Sequence, residues 1–206
     1  MAEPAGPRMF GAYAQLEVIN SDFPDRYFAE DPDGTLYRAR AVGTESADLR
    51  YEGPDADAYR DTYSQRTNDR LDDWSDLIQL TDVINNTPDD QYVERVSEVL
   101  DLPQWLRFLA MDALLGNRET GLSMGTGDNY WLYRGVTDPR FVILPHDLDT
   151  LLGRARNAQP NRSIFVYTAV TGLNRLLTHP DTVPLYYQAF LDLFATVFNP
   201  ETLNPL

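Results

Sequence analysis

The residues best suited to chemistry are two aspartates that lie close together, Asp147 and Asp149, directly after an apolar segment. Pro145 ends that segment because proline cannot donate to a strand ladder. Carboxylates at the exit of a buried strand are costly unless a cation, a hydrogen-bond donor or a substrate satisfies them. Aspartate is also a good helix cap, so a helix beginning near Thr150 would explain the same pair. The two aspartates are therefore either ligands or helix caps.

A β-hairpin is predicted immediately before these aspartates. Its arms are Tyr130–Arg134 and residues 141–144, both rich in aromatic or branched side chains and joined by a Gly-Val-Thr-Asp-Pro turn. An apolar helix and a glycine-rich connection at 121–127 precede it. The connection lacks the GxGxxG spacing of a phosphate-binding loop, so we interpret it as a flexible link.

One further carboxylate, Asp112, interrupts the apolar stripe of the helix that precedes the connection. A carboxylate on a core face is either paired or close to a site, and we expect a structural partner such as an arginine or backbone amides. A second hypothesis groups Asp112 with Glu119, Asp147 and Asp149 as the ligands of a metal-dependent hydrolase. The residues alone leave both hypotheses open.

The composition excludes several classes of function. The chain has 206 residues, a formal net charge of −15 and no cysteine. All 17 basic residues are arginine, so no lysine is available to cradle a phosphate in a GxxxxGK[ST] loop. The negative charge disfavours nucleic acid and anionic membranes as partners, and a cysteine nucleophile or a disulfide is impossible. No apolar run approaches the roughly 18 residues needed to span a bilayer.

The remaining elements are predicted from hydrophobic periodicity. Strands are expected at 10–19 and 35–41, and an acidic loop or insert at 42–72. A helix at 101–116 is expected to begin with a capping box formed by Asp101 and Gln104. Further helices are expected at residues 71–85, from Pro88 to 100, at 163–177 and at 183–198. The layout is a small β portion followed by a mainly helical portion, which is an α+β fold.

Five segments in order carry a resemblance to a known family. GAYAQLE, GTLYRAR, LRFLAMDALLGN, GDNYWLYR and FVILPHDLDTLLG together resemble the spore-coat CotH kinase-like family from Gly11 to about Pro200. The resemblance implies an atypical protein-kinase-like fold in one domain, 1–206. Residues 1–41 would form an incomplete N-terminal β portion, and 73–206 a mainly helical lobe with the hairpin at 130–144.

The resemblance also implies an activity. ATP and Mg²⁺ or Mn²⁺ would be the cofactors, and the γ-phosphoryl group would pass to serine or threonine of a protein substrate. Glu119 falls where the family has its catalytic carboxylate. Asn129 and Asp147 fall on metal ligands, and Asp149 on an auxiliary metal carboxylate.

The nucleotide contacts implied by the resemblance are more dispersed. Glu17 matches a glutamate that ends an early strand of the family. Arg118, Arg134, Arg154 and Arg156 are candidate phosphate donors, because bidentate arginine can partly replace a lysine.

Two departures from the family pattern bear on activity. The family has aspartate where this chain has Glu119, and a displacement of about 1 Å can cost on the order of 10²-fold in rate. The family also has more sheet before the segment at Gly11, so we expect an incomplete nucleotide site, with the N-terminal region of a longer chain as a partner. The alternative is a non-catalytic surface adhesin or scaffold of the same fold.

The remaining expectations concern location and one histidine. The resemblance implies an exported or cell-surface protein, but the first ten residues lack the layout of a signal peptide, so a cytoplasmic location stays open. His146 replaces a usual aromatic residue and is expected to pack or form a hydrogen bond rather than act as a base.

Overall fold

The computed structural model describes residues 17–149, 151–152, 161–167 and 169–204. It contains both helices and strands, so the α+β class is confirmed. No helix in these described ranges is long and apolar enough to cross a membrane. The elements in chain order are α1 (Phe23–Tyr27), β1 (Thr35–Ala39), β2 (Ala41–Val42), β3 (Glu45–Ser46), β4 (Tyr63–Gln65), α2 (Ser75–Asn86), α3 (Tyr92–Val99), α4 (Leu102–Leu115), β5 (Tyr130–Arg134), β6 (Phe141–Pro145), α5 (Thr171–Thr178), α6 (Val183–Thr196) and α7 (Pro200–Leu203).

A four-stranded antiparallel sheet with the order β4-β1-β5-β6 is the centre of the fold. The predicted hairpin is confirmed as β5 and β6, with Tyr130 opposite Pro145 at one end and Arg134 opposite Phe141 at the other. Strand β1 pairs with β5 and places Arg38 opposite Trp131. The hairpin, which lies in the mainly helical part of the sequence, thus joins the same sheet as the early strands.

The two faces of the sheet have different neighbours because side chains alternate along a strand. Tyr130 and Leu132 of β5 belong to the main core, together with the buried residues of the helices. Trp131 and Tyr133 belong to a smaller apolar cluster on the other face, against which Phe28 packs. All four β5 residues are at most 3% exposed, so the hairpin is anchored on both faces.

Helix α4 is fixed to the hairpin through its first turn. Asp101 caps the helix, accepting from the Gln104 backbone N–H at 3.2 Å, as predicted. The reciprocal half of the predicted capping box is wrong, because the Gln104 side chain does not turn back to Asp101. Its amide donates to the Ile143 carbonyl at 2.7 Å and accepts from the Ile143 backbone N–H at 3.1 Å. The Trp105 indole N–H donates to the Phe141 carbonyl at 2.8 Å. These bonds hold α4 against β6.

The segment predicted as a loop or insert, 42–72, has little regular structure, but it is packed into the fold. The segment contributes strand β4 to the edge of the main sheet, and its side chains Leu49, Tyr59 and Tyr63 are at most 3% exposed. Short strands and single buried aromatic residues leave no periodic pattern in an acidic segment, so hydrophobic periodicity does not predict them. Tertiary contacts, not local propensity, determine the structure here.

Three other boundaries differ from the predictions. The helix predicted at 163–177 begins only at Thr171, and the one predicted from residue 71 begins at Ser75. Asp73 accepts from the Ser75 backbone N–H at 2.9 Å, which favours a turn just before that helix. Of the strand predicted at 10–19, residues 17–19 are not in a strand, and the rest lies outside the described residues.

Candidate functional site

Two predicted ligands, Asn129 and Asp147, lie at the same end of the hairpin. The pair Tyr130–Pro145 closes the strand ladder there. One step beyond it, the backbone N–H of His146 donates to the Asn129 carbonyl at 3.2 Å. An antiparallel hairpin brings the residue before its first strand next to the residues after its second. Strand pairing within the hairpin therefore brings Asn129 and Asp147 close together, although they are far apart in sequence.

Both residues adopt the left-handed backbone conformation. Their φ angles are 46° at Asn129 and 52° at Asp147. Asparagine and aspartate tolerate this conformation better than other residues with a side chain. Residues held in such sparsely populated conformations concentrate at functional sites. The backbone therefore turns at both candidate ligands, directly where the regular hairpin ends.

The loop after α4 brings Glu119 to the same place. Gly116 ends the helix in the left-handed conformation, and the Asn117 backbone N–H donates to the Asp112 carbonyl at 2.9 Å. The Glu119 N–H then donates to the Asn117 side-chain oxygen at 3.0 Å. At the far side, the Asn129 side-chain amide lies 3.5 Å from Glu119 Oε2 and donates to it. The predicted catalytic carboxylate and one predicted metal ligand are thus in contact.

Asp128 is a member of this site that sequence reasoning missed. Burial raises the pKa of Asp128, and the negative charges of Glu119 and Asp147 raise it further. Asp128 therefore interacts electrostatically with both of the other carboxylates, and we call Glu119, Asp128, Asn129 and Asp147 the hairpin-end cluster. The signal in the sequence was a further carboxylate directly before Asn129.

The cluster is anchored to the sheet through Gly127. The Ala47 backbone N–H donates to the Gly127 carbonyl at 2.8 Å, and the Tyr130 hydroxyl donates to the Ala47 carbonyl at 2.5 Å. A Cβ atom at Gly127 would lie 1.7 Å from the Ala47 carbonyl oxygen, so only glycine allows this approach. The Asp128 N–H donates to the Thr120 carbonyl at 3.0 Å and closes the loop.

Two other predicted residues are not brought to the cluster. Arg134 lies at the opposite end of β5, about 13 Å along the strand by the usual rise per residue, and approaches Asp76 at 4.0 Å. Glu17 is exposed, pairs with Arg26 at 2.9 Å and accepts a hydrogen bond from Tyr27. Their assignment to the nucleotide stays a prediction. Arg154 and Arg156 lie outside the described residues.

A cavity of about 510 Å³ opens beside the Glu119 loop. Asn117 and Arg118 line one side, and Arg162 and Ile164 line another. Arg118 is half-buried in this wall. The size is within the usual range of small-ligand sites, roughly 300–1,000 Å³. The cavity gives the loop a neighbouring space in which a second molecule can approach.

Asp112 has structural partners, as expected, and in the described part of the chain they are neutral side chains rather than an arginine or backbone amides. The Tyr167 hydroxyl donates to Asp112 Oδ2 at 2.7 Å, and the Asn117 amide donates to Oδ1 at 2.5 Å. Burial raises the pKa of Asp112 to about 6. Both carboxylate oxygens are bonded to interior donors, so Asp112 is not a member of the hairpin-end cluster. The four-carboxylate set of the hydrolase hypothesis is not assembled.

The oxygen donors of the cluster fit a hard divalent cation. Within the described ranges, no three histidine, cysteine or acidic side chains are close enough to hold a metal ion by themselves. Magnesium needs only one or two protein carboxylates when substrate phosphates and water complete its shell. Asp147 and Asn129 are suited to that role. Asp147 and Asp149 are both exposed. The helix that these aspartates would cap in the alternative interpretation lies mostly outside the described residues.

His146 packs as expected. It is half-buried, and its ring meets Trp131 edge-on with centroids 5.8 Å apart.

Comparison with known proteins gives two findings. The family model described as CotH kinase protein matches residues 8–206. The inner spore coat protein H of Bacillus subtilis (strain 168) is 26% identical over 147 residues, which cover 69% of this chain and 38% of that protein. The chain thus spans less than two thirds of the length of this relative.

Proposed function

Because the chain belongs to the CotH kinase protein family, we propose that it is a protein kinase that transfers the γ-phosphoryl group of ATP to serine or threonine of a protein. The observation that carries the proposal is the convergence of Glu119, Asn129 and Asp147 at one end of the hairpin. These residues fall on the positions that the family resemblance assigns to the catalytic carboxylate and to two metal ligands.

Phosphoryl transfer needs little covalent help from a protein. It requires positioning of the phosphates, neutralisation of their charge and a carboxylate near the acceptor hydroxyl. Asp147 and Asn129 would hold Mg²⁺ or Mn²⁺, which when bound neutralises charge on the phosphates. The acidic surroundings of Asp128 favour a divalent cation at this place.

Glu119 would orient the acceptor. Its carboxylate accepts the Asn129 amide at 3.5 Å, and a carboxylate can accept several hydrogen bonds at once, so the same group would also accept the acceptor hydroxyl. In the transfer step, the acceptor oxygen forms a bond to the γ-phosphorus, the bond to the β-γ bridging oxygen breaks, and Glu119 accepts the hydroxyl proton. The cavity beside Asn117 and Arg118 offers room for the acceptor segment. Arg118 is the candidate phosphate donor nearest to the cluster in sequence.

The similarity to the bacterial relative, inner spore coat protein H, supports an exported or surface location. The match covers 38% of that relative. A protein substrate and an exported or surface location are therefore proposed for this chain together with the kinase activity.

The test is calorimetric titration of ATP in the presence and absence of Mg²⁺. The purified wild-type chain is compared with Asp147→Asn, and with Glu119→Gln as a variant that should still bind. Metal-dependent binding that only Asp147→Asn loses supports the nucleotide site. A folded wild-type chain that binds no nucleotide at any metal concentration contradicts the proposal.

A second candidate function is favoured by one observation, the glutamate at 119 combined with the absence of lysine. A non-catalytic surface adhesin or scaffold of the same fold would need neither a catalytic aspartate nor a phosphate-binding lysine. Such a protein would be indifferent to ATP, to Mg²⁺ and to the Asp147→Asn substitution. The same titration therefore distinguishes the two functions.

A further inference from the structure

Asp112 lies in the interior, 4% exposed, and is bonded there by Asn117 and Tyr167. It is connected to Glu119 by two hydrogen bonds in series. The Asn117 side-chain amide donates to Asp112 Oδ1 at 2.5 Å, and the same side chain accepts from the Glu119 N–H at 3.0 Å. Asn117 itself is 4% exposed, so both bonds are largely shielded from bulk water.

The chemistry of these groups fixes the direction of the connection. An ionised carboxylate can only accept hydrogen bonds, whereas a side-chain amide has one donating and one accepting end. Asn117 must therefore turn its NH₂ group toward Asp112, and its oxygen is left to face Glu119. With an apolar residue in place of Asp112, only the Glu119 N–H would still favour this orientation, and the Asn117 NH₂ group would lose its acceptor. In the wrong orientation, the Glu119 N–H would meet another donor.

We propose that Asp112 is a positioning residue, whose carboxylate orients the Asn117 amide and thereby holds the backbone of Glu119 in place beside Asn129. The assignment of a catalytic task to Glu119 rests on the proposed function, whereas the positioning itself rests only on the hydrogen bonds.

Tyr167 extends the same connection to a second segment. Its hydroxyl donates to Asp112 Oδ2 at 2.7 Å and lies 3.2 Å from the Leu109 carbonyl. Residues 161–167 also line the cavity beside the Glu119 loop through Arg162 and Ile164. Asp112 therefore joins the loop that carries Glu119 to the segment on the other side of the cavity, and both are held to helix α4.

The experiment measures hydrogen exchange of the Glu119 backbone amide by NMR, in the wild-type chain and in Asp112→Leu and Asp112→Asn. Leucine removes the acceptor at similar volume, whereas asparagine can still accept from Asn117 in one of its two orientations. We expect exchange at Glu119 to accelerate about tenfold in Asp112→Leu, the size of one lost hydrogen bond. Asp112→Asn should fall between leucine and the wild type.

Thr81→Val is the matched control. Thr81 is fully buried in α2, and its hydroxyl lies 3.2 Å from the Tyr59 hydroxyl, in a polar contact away from the loop. Thr81→Val should lower the free energy of unfolding. Exchange at the Glu119 amide should then accelerate no more than this loss of global stability explains. Equal acceleration in Thr81→Val and in both Asp112 variants would overturn the proposal, because Asp112 would then act on stability alone. If Asp112→Leu does not fold, Asp112→Asn and Tyr167→Phe give the same comparison.

A kinetic measurement separates this inference from the proposed function. Where the wild type transfers phosphate, Asp112→Asn should lower kcat with the KM for ATP unchanged. If the wild type binds no nucleotide, the kinase proposal is contradicted. The positioning role of Asp112 is then still tested by hydrogen exchange at the Glu119 amide. Normal exchange at Glu119 in an active Asp112→Leu variant contradicts the positioning alone.

Discussion

The Asn129 side-chain amide donates to the Glu119 carboxylate at 3.5 Å, across the gap between the loop that follows α4 and the start of β5. This contact joins the position of the candidate catalytic carboxylate to that of a candidate metal ligand. Because Asn129 also begins the hairpin, the placement of Glu119 depends on the sheet as well as on the helix. A substitution at Asn129 should therefore change the position of the Glu119 side chain, and a substitution at Glu119 should change that of Asn129.

The first prediction concerns Asp147. Asp147→Asn should weaken Mg²⁺-dependent ATP binding by at least about tenfold, because a neutral amide replaces the charged ligand. Asparagine also tolerates the left-handed φ of 52° at this position, so the backbone should be preserved. Titration calorimetry with ATP and Mg²⁺ measures the change. Asp149→Asn is the matched control, and equal losses in both variants would contradict a special role for Asp147.

The second prediction separates binding from chemistry at Glu119. Glu119→Gln should retain ATP binding but slow phosphoryl transfer on the order of 10²- to 10⁴-fold, the usual contribution of a general base. The measurement is transfer of labelled phosphate to a protein acceptor, with ATP binding determined in parallel. A variant that transfers phosphate at the wild-type rate would show that Glu119 is not the base.

The hairpin was predictable from sequence because its information is local. Tyr130–Arg134 and the second arm carry dense aromatic and branched side chains, and a Gly-Val-Thr-Asp-Pro turn separates them. Its pairing also brings Asn129 close to Asp147, so the core of the candidate site follows from strand pairing alone. Helix α4 was likewise predicted, because Asp101 caps it and an apolar stripe runs through it.

Contacts between distant segments were not predictable in the same way. Nothing near Asp112 in sequence identifies Tyr167 as its partner, since the two lie 55 positions apart. Strand β4 is three residues long and gains its place from pairing with β1. Gly127 appeared to be part of a flexible link, whereas its backbone is held against Ala47. In each case the deciding contact comes from a segment that local patterns do not describe.

The third prediction tests the close approach of Gly127 to Ala47. Gly127→Ala should destabilise the fold by about 1–3 kcal/mol through overpacking. The substitution should also weaken ATP binding, because a shift of the backbone at Gly127 would displace Asp128 and Asn129, the next two residues of the chain. Gly43→Ala is the control: its φ is +63° with no atom within 4 Å of an added Cβ, so strain of about 1–2 kcal/mol is expected there. Chemical denaturation and calorimetry should show similar instability but lost binding only in Gly127→Ala.

The fourth prediction concerns the hairpin turn. The Asp31 carboxylate accepts the backbone N–H groups of Val136, Thr137 and Asp138 at 2.9–3.0 Å. A Cβ at Gly135 would lie 1.9 Å from an Asp31 oxygen, so Gly135→Ala should expel that carboxylate from the turn. Asp31→Ala and Gly135→Ala should each lower the melting temperature, and the double variant should lower it by less than their sum. Full additivity would contradict a shared contact.

The same turn should respond to acid. Hydrogen bonds from the backbone, that of Asp138 foremost, hold the pKa of Asp31 below its usual value. The stabilisation is therefore present above the usual pKa and is lost as pH falls through the lowered one. The difference in melting temperature between the wild type and Asp31→Ala should be constant near neutral pH and shrink in strong acid. A difference that grows as the pH falls would contradict this assignment.

The fifth prediction uses the opposite shift at Asp112. Burial raises the pKa of Asp112 to about 6 from its usual 3.8, so the folded chain holds a proton where the unfolded chain does not. This group therefore stabilises the fold below the usual pKa, and its contribution declines as pH rises through about 6, by at most about 3 kcal/mol. Asp112→Asn should remove this slope, so that its stability relative to the wild type is higher at pH 7.5 than at pH 5.

Denaturant unfolding at the two pH values measures the slope directly. Asp192→Asn, which removes an exposed carboxylate on α6 that accepts the Gln188 amide, is the control for the loss of a carboxylate outside the core. An unchanged slope in Asp112→Asn would mean that Asp112 is ionised in the folded chain throughout this range. Its hydrogen-bond donors, Tyr167 and Asn117 among them, would then stabilise the charge enough to offset the cost of burial.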